Sequence, residues 1–232
     1  MKLAIMVALA VAAVLVTAPV LADRVIFAPT GTVLGGGDIR VEAAVGSGDN
    51  LDKVYWAGIG LQRLEVSAFR LENSDWLHHL LPGGLSTRAA SRFDLGSELV
   101  GKESLDVVNA ELAVLPETTL TPGIGLGVWD ISDQTRDGRG FFVAASKVLP
   151  ATKEVPLPIH DIRVHVGAGI QGIEGLFAGA EASLPLGFRV YAEYFQNELN
   201  VAVGWKVLPA VQLKGYLLDG EPFVGLQISS PL

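Results

Sequence analysis

The last third of the chain, residues 158–232, alternates apolar and other side chains in six short runs that are separated by tight turns. In the first of these runs, Ile162 and Val164 lie on one face of an extended chain, while Arg163 and His165 lie on the other. A repeat of two residues is that of a β-strand, whereas a helix repeats every 3.6 residues. Because the connections are short, we predict an up-and-down antiparallel meander.

The same alternation occurs in six earlier runs, which gives twelve predicted strands. They span residues 38–46, 54–61, 64–71, 104–115, 123–131, 141–149, 160–170, 176–184, 188–195, 200–208, 211–218 and 223–228. Since boundaries read from a sequence carry errors of about two to four residues, a count of about ten or fourteen strands also fits. Most runs approach the length of about 9 to 11 residues that crosses a bilayer at a tilt. An even count is the rule for bacterial outer-membrane barrels.

The polar faces of these strands carry glycines among their charges, and this indicates which face is enclosed. Glycine weakens a strand, but it makes room in a crowded interior. The glycines are Gly167, Gly169, Gly179 and Gly204. We therefore predict an all-β fold, an antiparallel up-and-down transmembrane β-barrel with its apolar face toward lipid. The alternative is a soluble periplasmic β-barrel or sandwich that binds a ligand.

The charged side chains on the polar faces form a predicted lumen-facing network. It comprises Arg40, Glu42, Glu65, Glu111, Arg163, His165, Glu181, Arg189, Glu193, Lys206 and Lys214. Enclosed charges must pair or stay hydrated. Because carboxylates and basic groups balance when histidine is neutral, the network permits either a plugged interior or a narrow wet lumen without strong ion preference.

Aromatic side chains near strand ends are typical of the interfacial girdles of membrane barrels. The candidates are Tyr55, Trp129, Trp205 and Tyr216, although Trp129 lies on the polar face of its strand.

Residues 1–22 have the pattern of an export signal: a single basic residue, an apolar run and a small-residue ending. We expect cleavage before Asp23, which leaves a single domain at residues 23–232. The chain carries 17 Lys and Arg against 25 Asp and Glu, a net charge of -8, which argues against nucleic acid as a partner. It has no cysteine, so an exported form is stabilised by its hydrogen bonds and packing alone.

Few residues are candidates for chemistry. His78 and His79 lie in the long segment 73–103, which interrupts the alternation, and their spacing matches no metal site. His165 would need a nucleophile for hydrolysis, and Ser183 on the next strand is the hydroxyl that the sequence offers. We expect a histidine within an interior polar network instead, and we predict no catalytic, metal-binding or cofactor-binding residue.

Three stretches carry a family resemblance. They are FAPTGTVLGGGDIRV at 27–41, GIGLQRLEV at 58–66, and the tail from Leu184 that includes YAEYFQNELNVAVGW and LLDGEPFVGL. They resemble the YjbH-like outer-membrane barrel proteins that are associated with exopolysaccharide production. The resemblance implies an outer-membrane barrel and a link to polysaccharide secretion, and it implies no catalytic residue.

Together these features predict a non-enzymatic protein of the bacterial outer membrane. We expect a narrow pore or an accessory component of envelope or polysaccharide export, in contact with outer-membrane lipid and with polysaccharide or small solutes. An outer-membrane hydrolase is the alternative within the same fold.

Overall fold

The computed structural model describes residues 25–46, 53–72, 104–135, 138–150, 159–173, 175–218 and 220–231. Twelve strands form within these ranges. They are β1 (Asp38–Gly46), β2 (Lys53–Leu61), β3 (Leu64–Glu72), β4 (Ser104–Leu115), β5 (Gly123–Trp129), β6 (Gly140–Pro150), β7 (Asp161–Gln171), β8 (Gly175–Ser183), β9 (Phe188–Phe195), β10 (Glu198–Leu208), β11 (Val211–Leu218) and β12 (Glu221–Pro231). A single 3-10 turn, Pro185–Gly187, connects β8 to β9. The predicted strands are all present, and their boundaries differ by at most three residues from those of the structure.

The sheet closes on itself. Each strand pairs antiparallel with its neighbours in sequence, and the ring is completed where β1 pairs with β12. That seam is continuous from Asp38 opposite Pro231 to Gly46 opposite Phe223. Closure removes the unpaired edges that an open sheet would present. The prediction of a twelve-stranded antiparallel barrel is therefore confirmed.

The two ends of the barrel differ. The connections after β2, β4, β8 and β10, together with the start of β1 and the end of β12, lie at one end, which we call the turn end. The connections after β5, β7, β9 and β11 lie at the other end, which we call the loop end. The segment 73–103, with His78 and His79, and residues 1–22, where an export signal is expected, lie outside the described residues.

The outer face of the barrel is apolar. Large exposed side chains occur along its strands, among them Val45, Leu126, Val143, Val166, Ile170, Leu199, Val203, Leu213 and Val224. Every described strand belongs to the one closed sheet, and among the described residues no second sheet or helix covers this face. The sandwich alternative is therefore wrong. Exposed apolar surface of this extent marks a face that meets lipid or another protein.

No helix in the described ranges is long and apolar enough to cross a membrane.

The interior at the loop end is filled by apolar side chains, which we call the apolar layer. They are Val54, Phe69, Leu71, Val107, Trp129, Phe142, Ile173, Phe177, Phe195, Leu218 and Phe223. The Trp129 ring lies 5.3 Å from that of Phe69 on β3 and 5.5 Å from that of Phe195 on β9. Because β3 and β9 are on opposite sides of the ring of strands, these three side chains cross the whole interior.

We expect Trp129→Ala to lower the free energy of unfolding by about 3 to 5 kcal/mol, because it removes the centre of the apolar layer and leaves a cavity. Trp205→Ala is the matched control, since Trp205 faces outward and stacks on Phe188 at 5.9 Å; its cost should be about 1 kcal/mol. Urea unfolding of the detergent-folded protein measures both. Equal losses of unfolding free energy in the two variants would contradict a central packing role for Trp129.

Candidate functional site

The interior toward the turn end is occupied by the chain itself. Residues 25–37 precede β1 and form no strand, and we call them the lumen segment. Residues 25–34 lie inside the barrel, and Gly35 and Gly36 are exposed at the turn end. Phe27, Ala28 and Leu34 are among its buried side chains. The segment meets the start of β1 at the turn end, where the Gly37 N–H donates a hydrogen bond of 2.9 Å to the Gly60 carbonyl on β2.

Glu193 on β9 binds one end of the lumen segment. Its carboxylate accepts hydrogen bonds of 2.9 to 3.0 Å from three consecutive main-chain N–H groups, those of Ile26, Phe27 and Ala28. The Asn200 side chain donates a fourth hydrogen bond, 3.1 Å long, to the same carboxylate. The carboxylate, 1% exposed, is thus satisfied mainly by main-chain donors.

Two further wall residues accept main-chain hydrogen bonds from the segment. The Gly31 N–H donates to the Ser146 hydroxyl on β6 at 2.6 Å, and the Leu34 N–H donates to the Glu65 carboxylate on β3 at 2.9 Å. The acceptors therefore come from three strands spaced around the barrel. The lumen segment crosses the interior from β9 past β6 to β3.

Glycines on the wall make room for the segment. A Cβ atom at Gly60 on β2 would overlap the carbonyl oxygen of Leu34, and a Cβ atom at Gly179 on β8 would lie 2.7 Å from Val25 Cγ2. Glycine in a strand often marks a close approach of another part of the backbone. Gly179 is one of the glycines predicted to face inward, and the contact with Val25 explains why a larger side chain does not fit there.

One part of the predicted network lies between β11 and β1. Lys214 Nζ is 3.1 Å from Glu42 Oε2, and the Tyr216 hydroxyl donates a hydrogen bond to the other oxygen of Glu42. Tyr191 lies beside them, with its hydroxyl 3.1 Å from the Gln212 amide nitrogen. The expectation that Tyr216 belongs to an outer girdle is wrong, because its side chain is inside and buried.

A second part of the network lies on β7, β8 and β9 near the turn end. Glu181 lies between two guanidinium groups, 3.8 Å from Arg163 Nη1 and 3.5 Å from Arg189 Nη1. Across the barrel, the Arg40 guanidinium packs over the Trp56 ring at 4.0 Å.

The remaining predicted members differ in burial. Glu65 and Glu111 are direct cross-strand neighbours, and Glu111 is buried. Lys206 is exposed, so it lies at the mouth of the turn end and not within the interior.

His165 has a hydroxyl partner that the sequence analysis missed. Its Nδ1 atom lies 2.6 Å from the Ser146 Oγ, and the two residues are opposite each other in the β6–β7 register. Ser183, the expected candidate, instead donates a hydrogen bond to Asp161 at 3.0 Å. Ser146 and His165 are each 1% exposed, and Gly31 covers the hydroxyl. The pair therefore holds the lumen segment, and a substrate does not reach it in this state.

Many polar side chains of the inner wall are buried. Those at most 9% exposed are Arg40, Ser67, Asn109, Glu111, Ser146, His165, Glu181, Glu193, Asn200, Gln212, Lys214 and Gln227. Glu42 and Arg163 are more accessible, with 16% and 14% of their side chains exposed. The lumen segment contacts the buried Ser146 and Glu193 directly. Within the described ranges, no group of three or more His, Cys, Asp or Glu is arranged to hold a metal ion.

The connection after β5 begins with an ordered turn around Asp130. Its carboxylate accepts hydrogen bonds from the Ser132 hydroxyl at 2.8 Å, from the Gln134 N–H at 3.1 Å, and from the N–H and hydroxyl of Thr135 at 2.5 and 2.6 Å. Burial alone would raise the pKa of Asp130, but these hydrogen bonds outweigh it and lower the pKa below its usual value. The turn directly follows Trp129 at the loop end.

The charge of Asp130 should control the order of this turn. Because the folded-state pKa is lower than the value of about 3.9 in an unfolded chain, the stabilisation is complete above that pH and is lost as pH falls through the folded pKa. At neutral pH, Asp130→Asn should increase amide exchange at Gln134 and Thr135 about tenfold, and Asp133→Asn, at an exposed position, should leave it unchanged. Hydrogen exchange with mass spectrometry measures this; equal exchange in both variants would contradict it.

No family model matches the chain, and no curated protein matches it. Solved structures that are similar include the KdgM porin, at 6% identity and a TM-score of 0.48, covering 84% of this chain and 99% of that one. An outer membrane channel from Pseudomonas putida F1 matches at 10% identity and a TM-score of 0.38, covering 90% and 99% of the two chains. OprB from Pseudomonas putida matches at 10% identity and a TM-score of 0.31, covering 83% and 90%. At these values the matches assign neither a family nor a function.

Proposed function

We propose that this protein is a non-enzymatic β-barrel of the bacterial outer membrane that forms a narrow conduit, closed in the state described here. The observation that carries the proposal is the distribution of polarity across a closed sheet. Apolar side chains face outward along the strands, and charged side chains are enclosed.

The membrane location follows from the backbone and the outer face together. In hydrocarbon every main-chain polar group needs an internal partner, and a closed barrel satisfies this requirement without a helix. The outward-facing Trp205 and Tyr55, 44% and 38% exposed, are suited to the boundary between lipid and water. The expected export signal at residues 1–22 agrees with delivery across the inner membrane.

A conduit is supported by the chemistry of the enclosed wall. Its paired charges, such as Lys214 with Glu42, would become hydrated if water replaced the lumen segment. Since neither sign of charge dominates the predicted network, an opened lumen would pass small solutes without strong ion preference. An accessory role in polysaccharide export rests on the sequence resemblance, and a polysaccharide strand would need the lumen segment and the apolar layer to move.

The absence of enzymatic activity is part of the proposal. Its support is the position of Ser146 and His165 beneath Gly31, where the hydroxyl accepts a main-chain hydrogen bond. A Ser-to-His pair needs an open face above the hydroxyl for a carbonyl to approach.

Fractionation tests the class of protein. We expect the protein in the outer-membrane fraction, with electrophoretic mobility that changes on boiling, because a closed ladder resists detergent until it is heated. Extraction from the periplasm without detergent would contradict the proposal.

Planar-bilayer recording tests the conduit. We expect brief, small openings from the native protein and a several-fold higher open time from the double variant Trp129→Ala with Phe195→Ala, because these substitutions remove the side chains that cross the interior. The outward-facing Trp205→Ala with Phe188→Ala serves as the control pair. Absence of conductance in all three folded proteins would contradict a conduit.

A further inference from the structure

We propose that the inner wall of the barrel is a binding site for the main chain of a peptide, and that the lumen segment is its detachable, tethered ligand. This inference is linked to the proposed function at one point: detachment of the lumen segment would be one step in opening the conduit. The peptide-binding site itself is an additional property, which a channel does not require.

The contacts recognise main chain. Five N–H groups of the segment, those of Ile26, Phe27, Ala28, Gly31 and Leu34, donate to wall side chains. The acceptors are Glu193, Ser146 and Glu65, one on each of three strands. The N–H groups of Ile26, Phe27 and Ala28 converge on one carboxylate because the chain bends there. Recognition of this kind requires a bent chain with free N–H groups, and it is largely independent of sequence.

The side chains of the segment supply the remaining selectivity. Val25, Phe27 and Leu34 are buried, and Phe27 belongs to the same apolar cluster as Phe177 and Phe195. A ligand for this wall is therefore a peptide that can adopt the same bend, with apolar side chains at about the same spacing. Peptide recognition by main-chain hydrogen bonds together with side-chain pockets is a recurring mode of protein interaction.

The segment joins the hydrogen-bonded framework at Gly37, whose N–H donates to the Gly60 carbonyl, directly before β1 begins. Residues 25–34 form no strand, and the barrel closes between β1 and β12 without them. Their departure would break no rung of the ladder, and the wall carboxylates could then bind water. The geometry is that of a tethered peptide in a preformed site.

The test measures thiol accessibility beneath the segment. The chain has no cysteine, so Ser146→Cys introduces a single thiol, placed under Gly31. We expect maleimide labelling of this thiol in the folded full-length protein to be at least tenfold slower than in a variant that also lacks residues 25–34. Lys206→Cys, at the exposed mouth of the turn end, is the matched control and should label equally with and without the segment.

A synthetic peptide of residues 25–37 should restore protection of the introduced thiol in the shortened Ser146→Cys variant. The same peptide with an N-methylated Phe27 should fail to do so, because the methyl group removes the N–H that binds Glu193 and keeps the phenyl ring. Equal protection by both peptides would show that main-chain recognition is wrong. No protection by either peptide, or equal labelling of the full-length and shortened proteins, would overturn the proposal.

A second variant keeps the test valid if the shortened chain does not fold. Glu193→Ala in the full-length Ser146→Cys protein removes the acceptor of three segment N–H groups, so labelling should accelerate about tenfold. Unchanged labelling would overturn the proposal. Heat-dependent mobility verifies folding in each case. The assay needs no conductance, so failure of the conduit proposal and failure of the binding-site proposal are distinguishable.

Discussion

The closure of the hydrogen-bond ladder between β1 and β12 is the constraint on which the rest of the structure depends. Once the ring is closed, each strand has one face outside and one face inside, and no edge remains to be protected. The alternation of side chains then assigns every strand residue to the outer face or to the interior. A chain without cysteine obtains its stability in this way, since the ladder replaces covalent cross-links.

Sequence alternation was sufficient to predict the fold because it is a local signal that the barrel preserves. Strand β1 shows this alternation. Arg40 and Ala44 are buried, whereas the residues that directly follow them, Val41 and Val45, are exposed. The alternation also indicates that Tyr216 faces inward, against the prediction that it belongs to an outer girdle. Tyr216 is two residues from Lys214 in a strand, so the two side chains must share the inner face.

The lumen segment and the partner of His165 could not be derived in the same way. Residues 25–37 have no period, so nothing local indicates whether they lie inside or outside. The contact of Ser146 with His165 depends on the register of β6 against β7, which a one-residue slip would abolish. That register is set by the whole ring of strands, and the alternation within one strand does not determine it.

Glu193 connects the closed state to the chemistry of the interior. Its neighbours across the strands are Gly179 and Asn200, neither of which is a base. The compensating partial charge comes instead from the N–H groups of the segment, with help from Asn200. A buried carboxylate without donors would carry a large desolvation cost. If the segment leaves the wall, as we propose, water must supply the hydrogen bonds that its N–H groups now donate to Glu193.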